Sequence, residues 1–104
     1  FGQVGSVYTT DTAKAIKPPL NQVFVAITII EDASSFTSLV AEDSAKYVNT
    51  VAAAHDQTAT NATSVEGELG QAIGTSDAFP VGLTLYGRWT QIQLSAGTVI
   101  AYIG

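Results

Sequence analysis

The 104-residue chain has no cysteine and no methionine, and only 12% of its residues are charged. Without cysteine there is no disulfide framework, no thiolate metal site and no cysteine nucleophile, so stability must come from packing or from partners. Four basic side chains against nine acidic ones give a formal charge of -5. Such a chain lacks the positive field that displaces counterions from a phosphate backbone, which argues against nucleic acid as a partner. No uninterrupted apolar run approaches the roughly 18 residues that cross a bilayer as a helix, and the start shows neither the basic nor the apolar region of a signal peptide. No membrane partner is expected. The chain starts at Phe1 with no methionine anywhere, so a segment upstream is expected to have been cleaved, to be disordered or to lie outside this sequence.

What is present is apolar side chain, at 46% of residues, with a mean hydropathy of +0.26. That is enough for one core in one domain. Apolar content combined with so little charge implies that part of the surface is covered in use, and self-association is the simplest form of cover. Residues 1–20 mix Gly, Ser and Thr with Pro18 and Pro19, which hold the backbone extended and are barred from a central strand. They read as an extended N-terminal arm with one short strand over residues 3–9, and residues 21–104 as a single β domain. Removing residues 1–19 is expected to spare that domain. Residues 22–30 form the strongest strand, with Val23, Val25, Ile27 and Ile29 on one face and Phe24, Ala26, Thr28 and Ile30 on the other. Both faces are apolar, as in a sandwich interior or an oligomer interface.

Between Ala33 and Ala78 small and polar residues dominate and no clear period holds, which predicts a long irregular segment. Within it, the stretch 41–56 could form a helix from Ser44, capped by Asp43 and with Tyr47, Val48, Val51 and Ala52 as its apolar face, although Asn49 and Thr50 oppose it. Residues 58–77 suit a glycine-rich surface loop or hairpin tip. The C-terminal part returns to β. Leu83 and Leu85 share a parity that Ile92 and Leu94 do not, so the alternation slips by one near Gly87, as at a β-bulge. Ser95, Ala96 and Gly97 then predict a hairpin loop joining strand 88–94 to strand 98–103. The expected fold is mainly β, a small antiparallel β-sandwich or barrel.

Candidate chemistry is sparse, and no enzyme activity or cofactor is expected. His55 beside Asp56 would need a serine such as Ser44 or Ser64 to make a catalytic set, but adjacent residues on an extended chain diverge and no nucleophile elbow exists. The pairs Glu31-Asp32 and Glu42-Asp43 could join Asp56 around a hard cation, yet they lack the spacing of a calcium loop, and no metal is expected. Asn61-Ala62-Thr63 matches a glycosylation pattern that a Thr-rich chain produces easily. Gly67, Gly70 and Gly74 lack a following lysine and sit beside Glu66 and Glu68, which would repel a phosphate. Tyr86, Arg88 and Trp89 are the most distinctive cluster. They could stack on a sugar and grip a carboxylate, but a single tryptophan in a small β domain is more often a core or interface anchor.

Residues 24–43 (FVAITIIEDASSFTSLVAED), VNTVAAAH at 48–55 and residues 79–104 (FPVGLTLYGRWTQIQLSAGTVIAYIG) resemble small virion proteins of tailed bacteriophages, especially those of aquatic bacteria. The resemblance covers residues 23–103 and is tightest over LYGRW and SAGTVIAYIG. It implies a structural protein with no catalytic residue: a capsid decoration, or cement, protein on the exterior of the virion head. Its partner would be the major capsid protein, and it would bridge neighbouring capsid subunits as a homo-oligomer, a trimer being favoured. Acidity suits an outer surface rather than the DNA side. The candidate interface residues are Val7, Tyr8, Ile16, Pro18 and Pro19 of the arm, with Tyr86, Arg88 and Trp89. A tail or fibre component is the neighbouring alternative, and a carbohydrate-binding module using Tyr86 and Trp89 is the alternative from another class.

Overall fold

Two β-branched segments and one long, bulged strand determine the architecture. The computed structural model describes residues 3–55 and 70–104. Five strands, β1 (Ser6–Thr9), β2 (Phe24–Ile29), β3 (Ser35–Ala41), β4 (Thr84–Ala96) and β5 (Val99–Ile103), form one open antiparallel sheet in the order β1-β5-β2-β4-β3. The chain is mainly β, as its β-branched segments predict, and none of the described residues is helical. The helix considered from Ser44 onward is instead, over its described residues, a loop built on Asn49. This buried side chain donates to Ser44 O and Tyr47 O and accepts from the amides of Val51 and Ala52. Asparagine competes with helical hydrogen bonding in just this way.

The predicted hairpin between the last two strands does not form. β2 lies between β4 and β5 and pairs with both. The first half of β4 pairs with β2 through Thr84–Trp89, and its second half pairs with β3 through Trp89–Ala96. The two flanks of β4 nevertheless meet, because Ile29 N–H donates to Leu83 O at 2.8 Å while Ile30 N–H donates to Thr98 O at 2.9 Å. Residues 83 to 98 drawn out straight would span roughly 50 Å, so β4 must bend back. That bend folds the β3 end of the sheet over the β2–β5 face. Gly97 and Thr98 then carry the chain across between the two layers, instead of turning it back beside β4.

Three extra residues on β4 allow the bend, and one of them is Ser95, since Ser35 faces Ala96 while Phe36 faces Leu94. Opposite β2, Phe24 faces Trp89 while Ala26 faces Tyr86, leaving an extra residue on β4 at Gly87–Arg88, where the parity slip predicts one. Opposite β3, Val40 faces Gln91 while Ala41 faces Trp89, which leaves Thr90 extra. Bulges kink and twist a strand and re-aim its side chains. After them Trp89, Ile92 and Leu94 all point into the core, with Phe24, Ile27 and Ile29 of β2, Phe36 and Leu39 of β3, and Val99, Ala101 and Ile103 of β5.

The extended arm expected over residues 1–20 is not what the described part of that segment forms. β1 pairs along β5, Ile16 bridges Ile92 with reciprocal backbone hydrogen bonds of 2.7 and 3.0 Å, and Val7 and Ile16 pack against the core. Apolar side chains at residues 7 and 16 are the physical reason that the segment folds back, since each buries apolar area only by doing so. Inside the segment expected to be irregular, β3 emerges as a full strand.

Candidate interaction surface

Alternate residues of a strand point to opposite faces, so the register sorts the β1-β5-β2-β4 part of the sheet into an inner and an outer side. The inner rows, such as Val7, Ala101, Ile27 and Leu85, pack in the core. The outer side carries two cross-strand rows: Ser6, Tyr102, Ala26 and Tyr86 in one, Tyr8, Ile100, Thr28 and Thr84 in the other. No charged residue occurs in either row. Tyr8 and Tyr86 are 65% and 66% exposed, and they lie three strands apart across the sheet, about 14 Å, in neighbouring rows. Ala26 is fully buried although it faces outward, because its register neighbours on both sides are tyrosines. Thr28 and Thr84 join their hydroxyls at 3.0 Å. The result is a neutral, tyrosine-bearing face on an acidic protein, able to stack and to hydrogen-bond without desolvating a charge.

The cluster Tyr86, Arg88 and Trp89 is dispersed by the bulge. Tyr86 stays on the outer face. Arg88 makes a forked pair with Glu42, Nε to Oε1 at 2.7 Å and Nη2 to Oε2 at 3.3 Å, and the strands are tied beneath it by Glu42 N–H to Arg88 O. The hydrogen bond from Arg88 holds the Glu42 carboxyl below its ordinary range, and the Arg88 guanidinium is raised in turn. Trp89 is fully buried and donates its indole N–H to Val48 O at 2.8 Å. Its ring lies against Gly87, where an added Cβ would stand 2.8 Å from Cζ2. Trp89 is thus a core anchor. It cannot serve as a sugar platform and, contrary to the expectation from sequence, cannot be a surface interface residue, because it is fully buried.

Of the other candidates, Val7 and Ile16 also turn inward against the core. Pro18 and Pro19 lead into an exposed turn closed by Gln22 N–H to Pro19 O, with Asn21 at φ 65° and Leu20 89% exposed. By register, only Tyr8 and Tyr86 of the expected set fall in the outer rows of the sheet. Tyr102 and Ile100 complete the face. Their signal was the alternation of the last strand, where both parities are apolar although only one can face the core.

The acidic side chains serve local structure. Glu31 Oε1 accepts from Thr98 Oγ1, Asp32 Oδ1 from Val81 N–H, and Asp43 Oδ1 from Ala45 N–H. Among the described residues no three potential ligands gather around a common point. His55 is an exposed turn residue at φ 57°, bonded through its backbone to Ala45 and Gly70. Asp56, Asn61-Ala62-Thr63, Ser64, Glu66, Gly67 and Glu68 lie outside the described residues, as does most of the loop expected over 58–77. No family model, curated protein or solved structure matches the chain.

Proposed function

We propose that this chain is a non-enzymatic virion structural protein, a capsid decoration protein that binds the outer surface of a phage head and bridges its subunits. The observation that carries the reading is the neutral face of Tyr8, Ile100, Tyr102 and Tyr86 on a chain of net charge -5. Such a face docks through apolar area and hydroxyl hydrogen bonds, while the surrounding acidity keeps the protein off DNA. The resemblance of residues 23–103 to small phage virion proteins supplies the partner, the major capsid protein. Weak contacts repeated over a lattice add up through avidity.

The test is binding of the purified protein to heads prepared without it. Y8A/Y86A removes two exposed rings and is expected to abolish decoration while leaving the unfolding midpoint close to that of the wild type. Binding unchanged in that variant overturns the face. Quantitation in intact particles is expected to find hundreds of copies, and a dozen or fewer would assign the chain to the tail. The tyrosine platform also suits sugar stacking, the basis of the carbohydrate-binding alternative. That alternative predicts glycan-dependent protection of Tyr8 and Tyr86 from chemical modification, a better readout than the emission of the buried Trp89.

A further inference from the structure

The edge of β1 differs from that of β3. On β3 the outer edge is closed by Thr50, whose amide donates to Leu39 O at 2.9 Å and whose hydroxyl accepts from Leu39 N–H at 2.8 Å. Among the described residues nothing closes the outer edge of β1, and Ser6 and Tyr8 are exposed. The register assigns the groups that point there. Ile103 N–H donates to Gly5 O, so Gly5–Ile103 is a bonded position of the β1–β5 ladder. Bonded and non-bonded pairs alternate in an antiparallel ladder, which makes Val7–Ala101 and Thr9–Val99 the next bonded pairs. Ser6 and Tyr8 therefore turn their N–H and C=O groups away from β5.

Native edges of this kind are usually blunted with charge, proline or a bulge. Residues 3–10 contain no charge and no proline, and β1 pairs with β5 without a register shift.

We propose that β1 pairs with β1 of a second copy of this chain, antiparallel across a two-fold axis through Val7. In that register Ser6 faces Tyr8 of the second copy and Tyr8 faces its Ser6, so every outward donor and acceptor of both strands finds a partner. Residues opposite each other in an antiparallel pair share a face, and Ser6 and Tyr8 are both on the outer side. The tyrosine faces of the two copies then join into one continuous surface. No like charges meet, because Asp11, the first charged residue of the chain, falls opposite Gln3. A two-fold interface of this type is isologous and closes at two copies, in place of the expected trimer. Paired strands this short bury little area, so the dimer is expected to be concentration-dependent in solution and to gain from avidity on a lattice.

The absence of cysteine makes a cross-linking test clean. Bonded antiparallel positions lie about 5.5 Å apart at Cα, within disulfide reach. Mixing S6C and Y8C under oxidising conditions is expected to give the mixed disulfide in preference to either symmetric one. Sedimentation velocity of the full chain should show a concentration-dependent species of twice its mass. S6P removes an outward N–H while sparing the β1–β5 bonds, and Y8K places charge at the seam; each is expected to leave a monomer with wild-type circular dichroism. T37K, at an exposed position of β3, should leave the dimer intact. A monomer at every soluble concentration overturns the proposal, as does a dimer that survives S6P and Y8K or is lost in T37K. Head binding is scored separately: S6P that decorates heads as a monomer would end the dimer proposal and leave the decoration reading standing.

Discussion

Trp89 is the residue on which most of the packing turns. It is fully buried, bonded to Val48 O and seated over Gly87, so truncation removes ring contacts and a hydrogen bond together. W89A is expected to cost roughly 3–5 kcal/mol in denaturant unfolding. G87A, which forces a Cβ against the indole, should cost about 1–3 kcal/mol. A wild-type midpoint in both variants would contradict the packing described. Arg88, its neighbour in sequence, has the opposite character: the Glu42–Arg88 side chains are each 46% exposed, so solvent screens the pair and its effect on stability is small. The Glu42 carboxyl titrates below its unfolded value. The stabilisation from the pair is thus present above the ordinary carboxylate range and lost as pH falls through the lowered value. In R88Q, an NMR titration is expected to show the Glu42 carboxyl moving up toward its ordinary value, with the unfolding midpoint at neutral pH nearly unchanged.

At the scale of elements, the crossing from β4 to β5 and the attachment of the N-terminal segment decide the topology. Gly97 sits at φ 93°, and a Cβ there would overlap Ser34 Oγ, which itself donates to Glu31 O and accepts from Thr98 N–H. G97A is accordingly expected to lose more than about 1 kcal/mol through strain alone, with the loss read from thermal unfolding. Deleting residues 1–19 removes β1 and Ile16, baring the edge of β5 and one side of β4. The sequence alone leads one to expect an intact domain after that deletion. The structure predicts instead a markedly lowered midpoint, and a truncated chain as stable as the whole would show that β1 and Ile16 add nothing. β3 illustrates why the middle of the chain was hard to read. Its register shift between Phe36 and Ser38 leaves Thr37 extra and breaks the two-residue period, so Phe36 and Leu39 are both buried at a spacing no regular strand would give.

For the whole molecule, the core draws on every strand: β2, β3, β4 and β5 supply its buried members, and Val7 of β1 packs against it. No strand can leave without opening that core, so unfolding should be a single cooperative transition. Trp89 is the only tryptophan and reports on the β4 bend. Its fluorescence and the far-ultraviolet circular dichroism of the sheet are expected to change at the same denaturant concentration. Separated transitions would mean that the folded-over β3 end opens independently of β2 and β5.

Local physics was sufficient for the strands themselves. β-branched runs at 24–29 and 99–103, the parity slip near Gly87 and the short strand ending at Thr9 were all legible from the sequence, because backbone preference and alternation act between near neighbours. Tyr8 and Tyr86 were legible as candidate surface residues, but their meeting on one face was not. It depends on β2 entering between β4 and β5, and that pairing joins residues more than 50 positions apart, as in Ile27 with Leu85 and Ala101. Gly97 marks a sharp change of direction in either case. Whether the chain doubles back as a hairpin or crosses to another layer is decided by what packs beside it: here Ser34 against Gly97 and the backbone of Ile30 on Thr98. The bend of β4, the return of Ile16 to Ile92 and the division of Tyr86, Arg88 and Trp89 between surface, ion pair and core are products of that long-range packing, which no local period encodes.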